Sequence, residues 1–314
     1  MHNNLTTSFQ KPVFFDYNGS FDDFVALVTL LTLDKYRLSG ITLSNSIYPV
    51  ELTTEITRYI LNLFCRYDIT IARSNAAVLN PFLVEERVLY DRYQSIKIED
   101  NGDAGLSETS NEDAIDFMAH KILAEKENTV IMLSGSAVNL SLMFKRYPAT
   151  LEKIEKILWA AGAFLADGNV VAPDHDGSAE WNVFMHPLAA SDLLETGLPL
   201  YLFPLDASSL LPVDNYLMYH LGKHKKKQLS KLVFQLFKYD YDLQNPIYMN
   251  SVLPAVYLGI PEIFDFETKS IKIEQWGTSM GNIYRTSLGE RIKHVSWVND
   301  EIFYDFLIKQ FKQF

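Results

Sequence analysis

Val13-Phe14-Phe15-Asp16-Tyr17-Asn18-Gly19-Ser20-Phe21-Asp22-Asp23-Phe24-Val25-Ala26-Leu27 is the stretch from which the fold can be read. A short apolar run closes on a carboxylate, an Asn-Gly turn follows, and two adjacent aspartates open an apolar segment at helical spacing. This is the pattern of a strand, a loop and a helix. In an open α/β sheet such a loop lies at the carboxyl edge of its strand, where these folds place ligands. Asp22 and Asp23 suit a helix N-terminus, so capping accounts for part of the pattern. It does not account for Asp16 and Asn18 in the same turn, because like charges repel unless donors or a cation are at hand. Oxygen-rich side chains of this kind suit calcium, magnesium or a polyhydroxylated ligand.

Working outward, strand and helix alternate. Leu38–Leu43 reads as a strand, Val50–Tyr67 as a helix, Ile69–Ala72 as a strand, Asn111–Glu127 as a helix and Thr129–Leu133 as a strand. Ser134-Gly135-Ser136-Ala137-Val138-Asn139 forms a second turn into a helix, and Ile157–Ala163 is the next strand. Pro187–Glu195 reads as a helix, Pro199–Leu205 as a strand, Leu229–Tyr239 as an amphipathic helix, and Ser251–Leu258 as an apolar helix with Asn250 as its N-cap. Phe266–Glu274 and Gly281–Tyr284 suggest a small antiparallel appendage, and Asn299–Phe314 a closing helix. The expected fold is therefore α/β, one domain over residues 1–314, with a mostly parallel central sheet flanked by helices. The irregular stretch Asn75–Glu108, with Asn101-Gly102-Asp103-Ala104-Gly105-Leu106, is expected to wall the pocket.

Composition narrows the function. A net charge of −11 over 314 residues argues against nucleic acid or an anionic membrane as the main partner and leaves small molecules or proteins. The run Lys223-His224-Lys225-Lys226-Lys227 reads as a solvated helix end or loop. The single cysteine, Cys65, excludes a disulfide framework and is expected to be a buried thiol. Met1–Gln10 lacks a basic segment followed by an apolar one, and no window has the length and apolarity of a membrane span, so a cytoplasmic protein is expected. The segment from Asp167-Gly168-Asn169 through His175 to Glu180-Trp181-Asn182 combines acids, amides and an indole, which suit sugar hydroxyls and the C–H face of a sugar ring.

These motifs together resemble the inosine-uridine preferring nucleoside hydrolases. Asp16–Asp23 is similar to that family's Asp-x-Asp-Pro-Gly-x-Asp-Asp, Ser134–Asn139 to its Thr-Gly-x-Leu-Thr-Asn, and Ala179-Glu180-Trp181-Asn182 to its Ala-Glu-Phe-Asn. Trp159–Ala163 is similar to its Met-Gly-Gly stretch, and Tyr248-Met249-Asn250 to the His-Asp ahead of its Ala-Val-Ala-Tyr-Leu helix. The resemblance implies cleavage of the N-glycosidic bond of nucleosides, with calcium at the pocket floor gripping the ribose diol, in a homodimer or homotetramer. It implies metal contacts from Asn18, Asp23, the Ser134 carbonyl and Asn250. It implies substrate contacts from Asp22, Asn45, Asn169, Glu180, Trp181, Asn182 and Met249, with Asp16 ordering the loop.

Two positions depart from the pattern. Asn18 stands where the family has its catalytic base, and Asn250 where it has another calcium aspartate, so two negative charges are missing and calcium affinity should fall. An amide does not take a proton at neutral pH, which points to His175 as a replacement base, beside Asn18 and Asp22 in the catalytic set. Histidines of the family are also replaced, by Met249 near the leaving base and by Asn101. The alternative is a catalytically silent nucleoside- or sugar-binding member of the same fold. A sugar-phosphate enzyme is disfavoured because neither Gly19 nor Gly135 sits in a P-loop pattern.

Overall fold

A computed structural model describes residues 10–44, 49–82, 107–242 and 247–313. The expected contact Asn45, Asn101 and the glycine-bearing loop 101–106 lie outside the described residues. The strands are β1 (Lys11–Tyr17), β2 (Tyr36–Leu43), β3 (Ile71–Arg73), β4 (Thr129–Ser134), β5 (Ile154–Trp159), β6 (Leu200–Leu202), β7 (Phe264–Ile273), β8 (Ile283–Arg285) and β9 (Glu290–Val298). The helices are α1 (Phe21–Leu31), α2 (Val50–Leu63), α3 (Ala114–Ala124), α4 (Val138–Arg146), α5 (Trp181–Phe184), α6 (Pro187–Glu195), α7 (Leu205–Ser208), α8 (Asn215–Lys223), α9 (Gln228–Asp242), α10 (Val252–Gly259) and α11 (Asp300–Phe311).

One sheet runs through the domain in the order β3-β2-β1-β4-β5-β6-β9-β7-β8. From β3 to β9 every neighbouring pair is parallel, and β7 pairs antiparallel with both β9 and β8. The chain winds from β1 toward β3 in one direction and from β4 toward β6 in the other. The loops leaving β1 and β4 therefore part above the Asp16↔Leu133 and Tyr17↔Ser134 pairs, which opens a crevice at the switch point.

β1 is central, so both of its faces are buried. Val13, Phe15 and Tyr17 enter the core layer shared with α1, α9 and α10, while Phe14 enters the opposite layer with Phe117 and Met118. Asp16 follows Phe14 in the two-residue alternation, which turns its carboxylate into the second layer.

Several expectations change. β9 was not anticipated, because its burial does not alternate cleanly and its partner β7 carries an irregularity at Asp265/Phe266. Asn250 is not the N-cap: Ser251 holds that position. Cys65 is exposed, since α2 ends at Leu63 and Cys65 turns into a left-handed conformation (φ 53°) that removes it from the helix's apolar face. Lys223 ends α8 and residues 224–227 form the turn into α9, a solvated helix end and loop as expected. Among the described residues, no helix is long and apolar enough to cross a membrane.

Candidate active site

The loop from β1 to α1 gathers two carboxylates by ordinary helix-start chemistry. Asp23, in the first turn of α1, reaches back so that its Oδ2 accepts the N–H groups of Gly19 (2.8 Å) and Ser20 (2.9 Å). Its Oδ1 accepts the Ser134 hydroxyl from the end of β4 (2.5 Å). Asp22 accepts the Ser20 hydroxyl (2.5 Å) and, across the crevice, the Ser251 N–H (2.8 Å). Gly19 is required here: its φ is +87°, and a Cβ would lie 2.4 Å from Thr53 Oγ1. Burial, reinforced by the neighbouring Asp22 charge, pushes Asp23 up to about 7, and burial also raises Asp22.

Beneath this floor, Asp16 is fully buried and takes both of its oxygens to the Asn139 amide (3.0 and 3.2 Å), whose own oxygen accepts from Ser74 (2.6 Å). Burial pushes Asp16 up to about 7, against those donors. Asn139→Ala is expected to lower stability by about 3 kcal/mol, because it strips a buried carboxyl of its amide donor. Urea unfolding measures this. A change within experimental error would show that Asp16 does not depend on Asn139.

The third wall comes from the segment between β5 and α5. Asn18 Nδ2 donates to Asn182 Oδ1 (3.2 Å), and Asn182 Nδ2 donates to the Ala160 carbonyl (2.8 Å). Glu180 accepts the N–H groups of Asn182 (2.9 Å) and Gly162 (3.1 Å). Asn169 is largely exposed and accepts the Trp181 N–H (2.9 Å), while the Trp181 ring stacks on Phe82 at 4.3 Å. His175 is tied at both nitrogens. Its Nδ1 accepts the Gly177 N–H (2.9 Å), so its Nε2 carries the proton donated to the Met280 carbonyl (2.9 Å). Both ring nitrogens are thus engaged by backbone groups, one within the pocket loop and one at Met280. His186 caps α6 by accepting the Ala189 N–H.

Burial pushes Glu180 up to about 7, against the Asn182 and Gly162 N–H groups. A raised folded-state pKa means the folded chain binds this proton more tightly than the unfolded chain. The resulting stability is fully present below the unfolded pKa near 4 and is lost as pH rises through about 7, a change on the order of 3 kcal/mol. Glu180→Gln should remove that part of the slope, as read by urea unfolding at intervals from acidic to mildly basic pH. Parallel wild-type and variant curves would contradict this.

Asn18, Asp22, Asp23, Ser134, Glu180 and Asn182 thus meet at the switch point, with Ser251 bringing its neighbours Met249 and Asn250 alongside. Met249 is fully buried, and Asn250 Oδ1 is buried without a hydrogen-bond partner among the described residues. The model of the family described as "Inosine-uridine preferring nucleoside hydrolase" matches residues 13–305. The chain belongs to this family. The structure of the inosine-uridine preferring nucleoside hydrolase from Bacillus anthracis superposes with a TM-score of 0.90 and 25% identity, covering 97% of this chain and all of that one. The pyrimidine-specific ribonucleoside hydrolase RihA of Klebsiella pneumoniae is 23% identical over 281 residues, 85% of each chain. An uncharacterized protein of Schizosaccharomyces pombe is 26% identical over 210 residues, 63% of this chain and 62% of that protein.

Within this nucleoside hydrolase fold the donor set does not suit calcium. Calcium takes six to eight oxygens, and its affinity rises with the charge they carry. Here two of the expected ligand positions are neutral amides, and both oxygens of the Asp23 carboxylate already accept protein donors. Among the described residues, no group of three or more His, Cys, Asp or Glu side chains is placed to share an ion. Sequence reasoning missed Ser20 and Ser251 as partners of Asp22, and Asn139 as the partner of Asp16. Asn139 lay within the quoted Ser134–Asn139 turn, and Ser251 directly follows Asn250, so position along the chain was the available signal.

Proposed function

We propose that this chain hydrolyses the N-glycosidic bond of ribonucleosides, adding water at the anomeric carbon and releasing the base and free ribose. The supporting observation is that side chains of the β1 loop hydrogen-bond at the switch point to the end of β4, to Asn182 and to Ser251. Asp22, partly exposed to the crevice, accepts a ribose hydroxyl. Asn169, Asn182 and Glu180 hold the remaining sugar oxygens, and Trp181 lies against the ring. Asn18 orients the attacking water without taking its proton, so turnover is slow. His175 fastens the pocket loop to the segment around Met280. The same reading carries a cytoplasmic homodimer or homotetramer with no nucleic-acid or membrane partner.

A second reading, a silent nucleoside-binding protein, is favoured by one observation. The Asn18 amide stands in the base's place and is bonded to Asn182. Incubation with inosine, uridine and nicotinamide riboside, followed by an assay for free ribose, separates the two. Slow release from at least one supports hydrolysis, whereas folded protein releasing ribose from none retires it in favour of binding.

A further inference from the structure

We infer that the floor of this pocket is organised by the protein's own hydrogen-bond donors in place of a divalent cation, with Ser134, Ser20 and Ser251 as the positioning residues that hold Asp23 and Asp22. The nature of the ligand rests on the function proposed above. The independence from a cation does not.

Two adjacent carboxylates in a buried crevice ordinarily attract a cation, and among the described residues no cationic side chain contributes to the environment of either one. The structure supplies another solution. Five hydrogen bonds converge on the pair, from the Gly19 and Ser20 N–H groups and the Ser134 hydroxyl onto Asp23, and from the Ser20 hydroxyl and the Ser251 N–H onto Asp22. Both aspartates also lie in the first turn of α1, whose positive end favours their charge. Hydrogen bonds to an ionised carboxylate lower the cost of keeping it charged, as a cation would.

The Ser134 hydroxyl is the part of this arrangement that only the side chain can supply. A cation held in the family manner would use its backbone carbonyl, which any residue provides, whereas here the side chain donates to Asp23. Asn250 Oδ1, buried beside Ser251 and without a partner among the described residues, is an acceptor that a sugar hydroxyl can satisfy by donating to it.

The test uses the full-length protein, first treated with a chelator and then titrated with calcium chloride while the melting temperature and the heat of binding are followed. Pseudouridine, whose carbon-linked base cannot be hydrolysed, serves as the nucleoside. The melting temperature should not rise with calcium up to about 1 mM, the range of weak protein sites. Pseudouridine affinity should agree within about twofold in chelator and in calcium. Ser134→Ala should weaken pseudouridine binding about tenfold, the effect of losing one charge-assisted hydrogen bond, and Ser134→Thr should restore it. Asn18→Asp combined with Asn250→Asp should acquire a calcium-dependent rise in melting temperature.

Calcium-dependent stabilisation of the wild type, loss of pseudouridine binding in chelator, or a silent Ser134→Ala would each overturn the inference. If pseudouridine binds under no condition, the proposed substrate class fails, and the wild-type calcium titration still decides the question of the cation. That titration also decides it if Ser134→Ala does not fold.

Discussion

Asn18→Asp is expected to raise the rate of ribose release about 100-fold. A well-placed general base contributes about 10²–10⁴ in rate, and an ionised carboxylate at this position would supply one where the amide cannot. The lower end applies because of the local hydrogen bonding. Asn18 Nδ2 donates to Asn182 Oδ1, and Asn182 Nδ2 is already committed to the Ala160 carbonyl. A carboxylate would set two acceptors face to face, so Asn182 must turn and give up Ala160, and part of the gain goes to that rearrangement. The rate of free-ribose release under saturating uridine or inosine measures the effect. An unchanged rate would mean that water activation is not what limits this site.

Asp22→Ala is expected to lower kcat/KM for nucleosides by about 10²–10³, equivalent to about 3–4 kcal/mol, the scale for losing charge-assisted bonds to the sugar hydroxyls. Its effect on stability should be small, under about 1 kcal/mol. Removing Asp22 leaves the Ser20 hydroxyl and the Ser251 N–H without their acceptor, and at the same time relieves the repulsion that helps to raise Asp23. The two effects oppose each other. Steady-state kinetics together with urea unfolding read the split, and a loss of activity matched by a comparable loss of stability would assign Asp22 to folding and not to the substrate.

The fold was legible where local pattern and burial agree. The apolar run of β1, the Asn-Gly turn and the aspartates of α1 lie close together in sequence and are set by local rules, and the alternation of strands and helices follows from periodicity. β9 was not legible, because it is placed by pairing with β6 on one side and β7 on the other, and its sequence carries no clean two-residue period. Cys65 was misread because its helical spacing continued past the point where the backbone turns.

In the site, residue types identified Asn18, Asp22, Asp23, Glu180 and Asn182 as candidates, but not what each one touches. That Asp16 turns away to Asn139 depends on the strand's alternation. That His175 is locked by Gly177 and Met280 depends on a contact 105 residues along the chain, which no local pattern encodes.

The central claim is that oxygens from the β1 loop, the β5–α5 segment and the start of α10 grip the ribose of a nucleoside at the switch point of the sheet. A crystal structure of the pseudouridine complex tests it most directly. The account predicts the ribose 2′ and 3′ hydroxyls within hydrogen-bonding distance of Asp22, with Asn182 and Asn250 beside them, above the carboxyl ends of β1 and β4. A nucleoside bound elsewhere on the domain, or one in this crevice with its ribose turned away from Asp22, would contradict it.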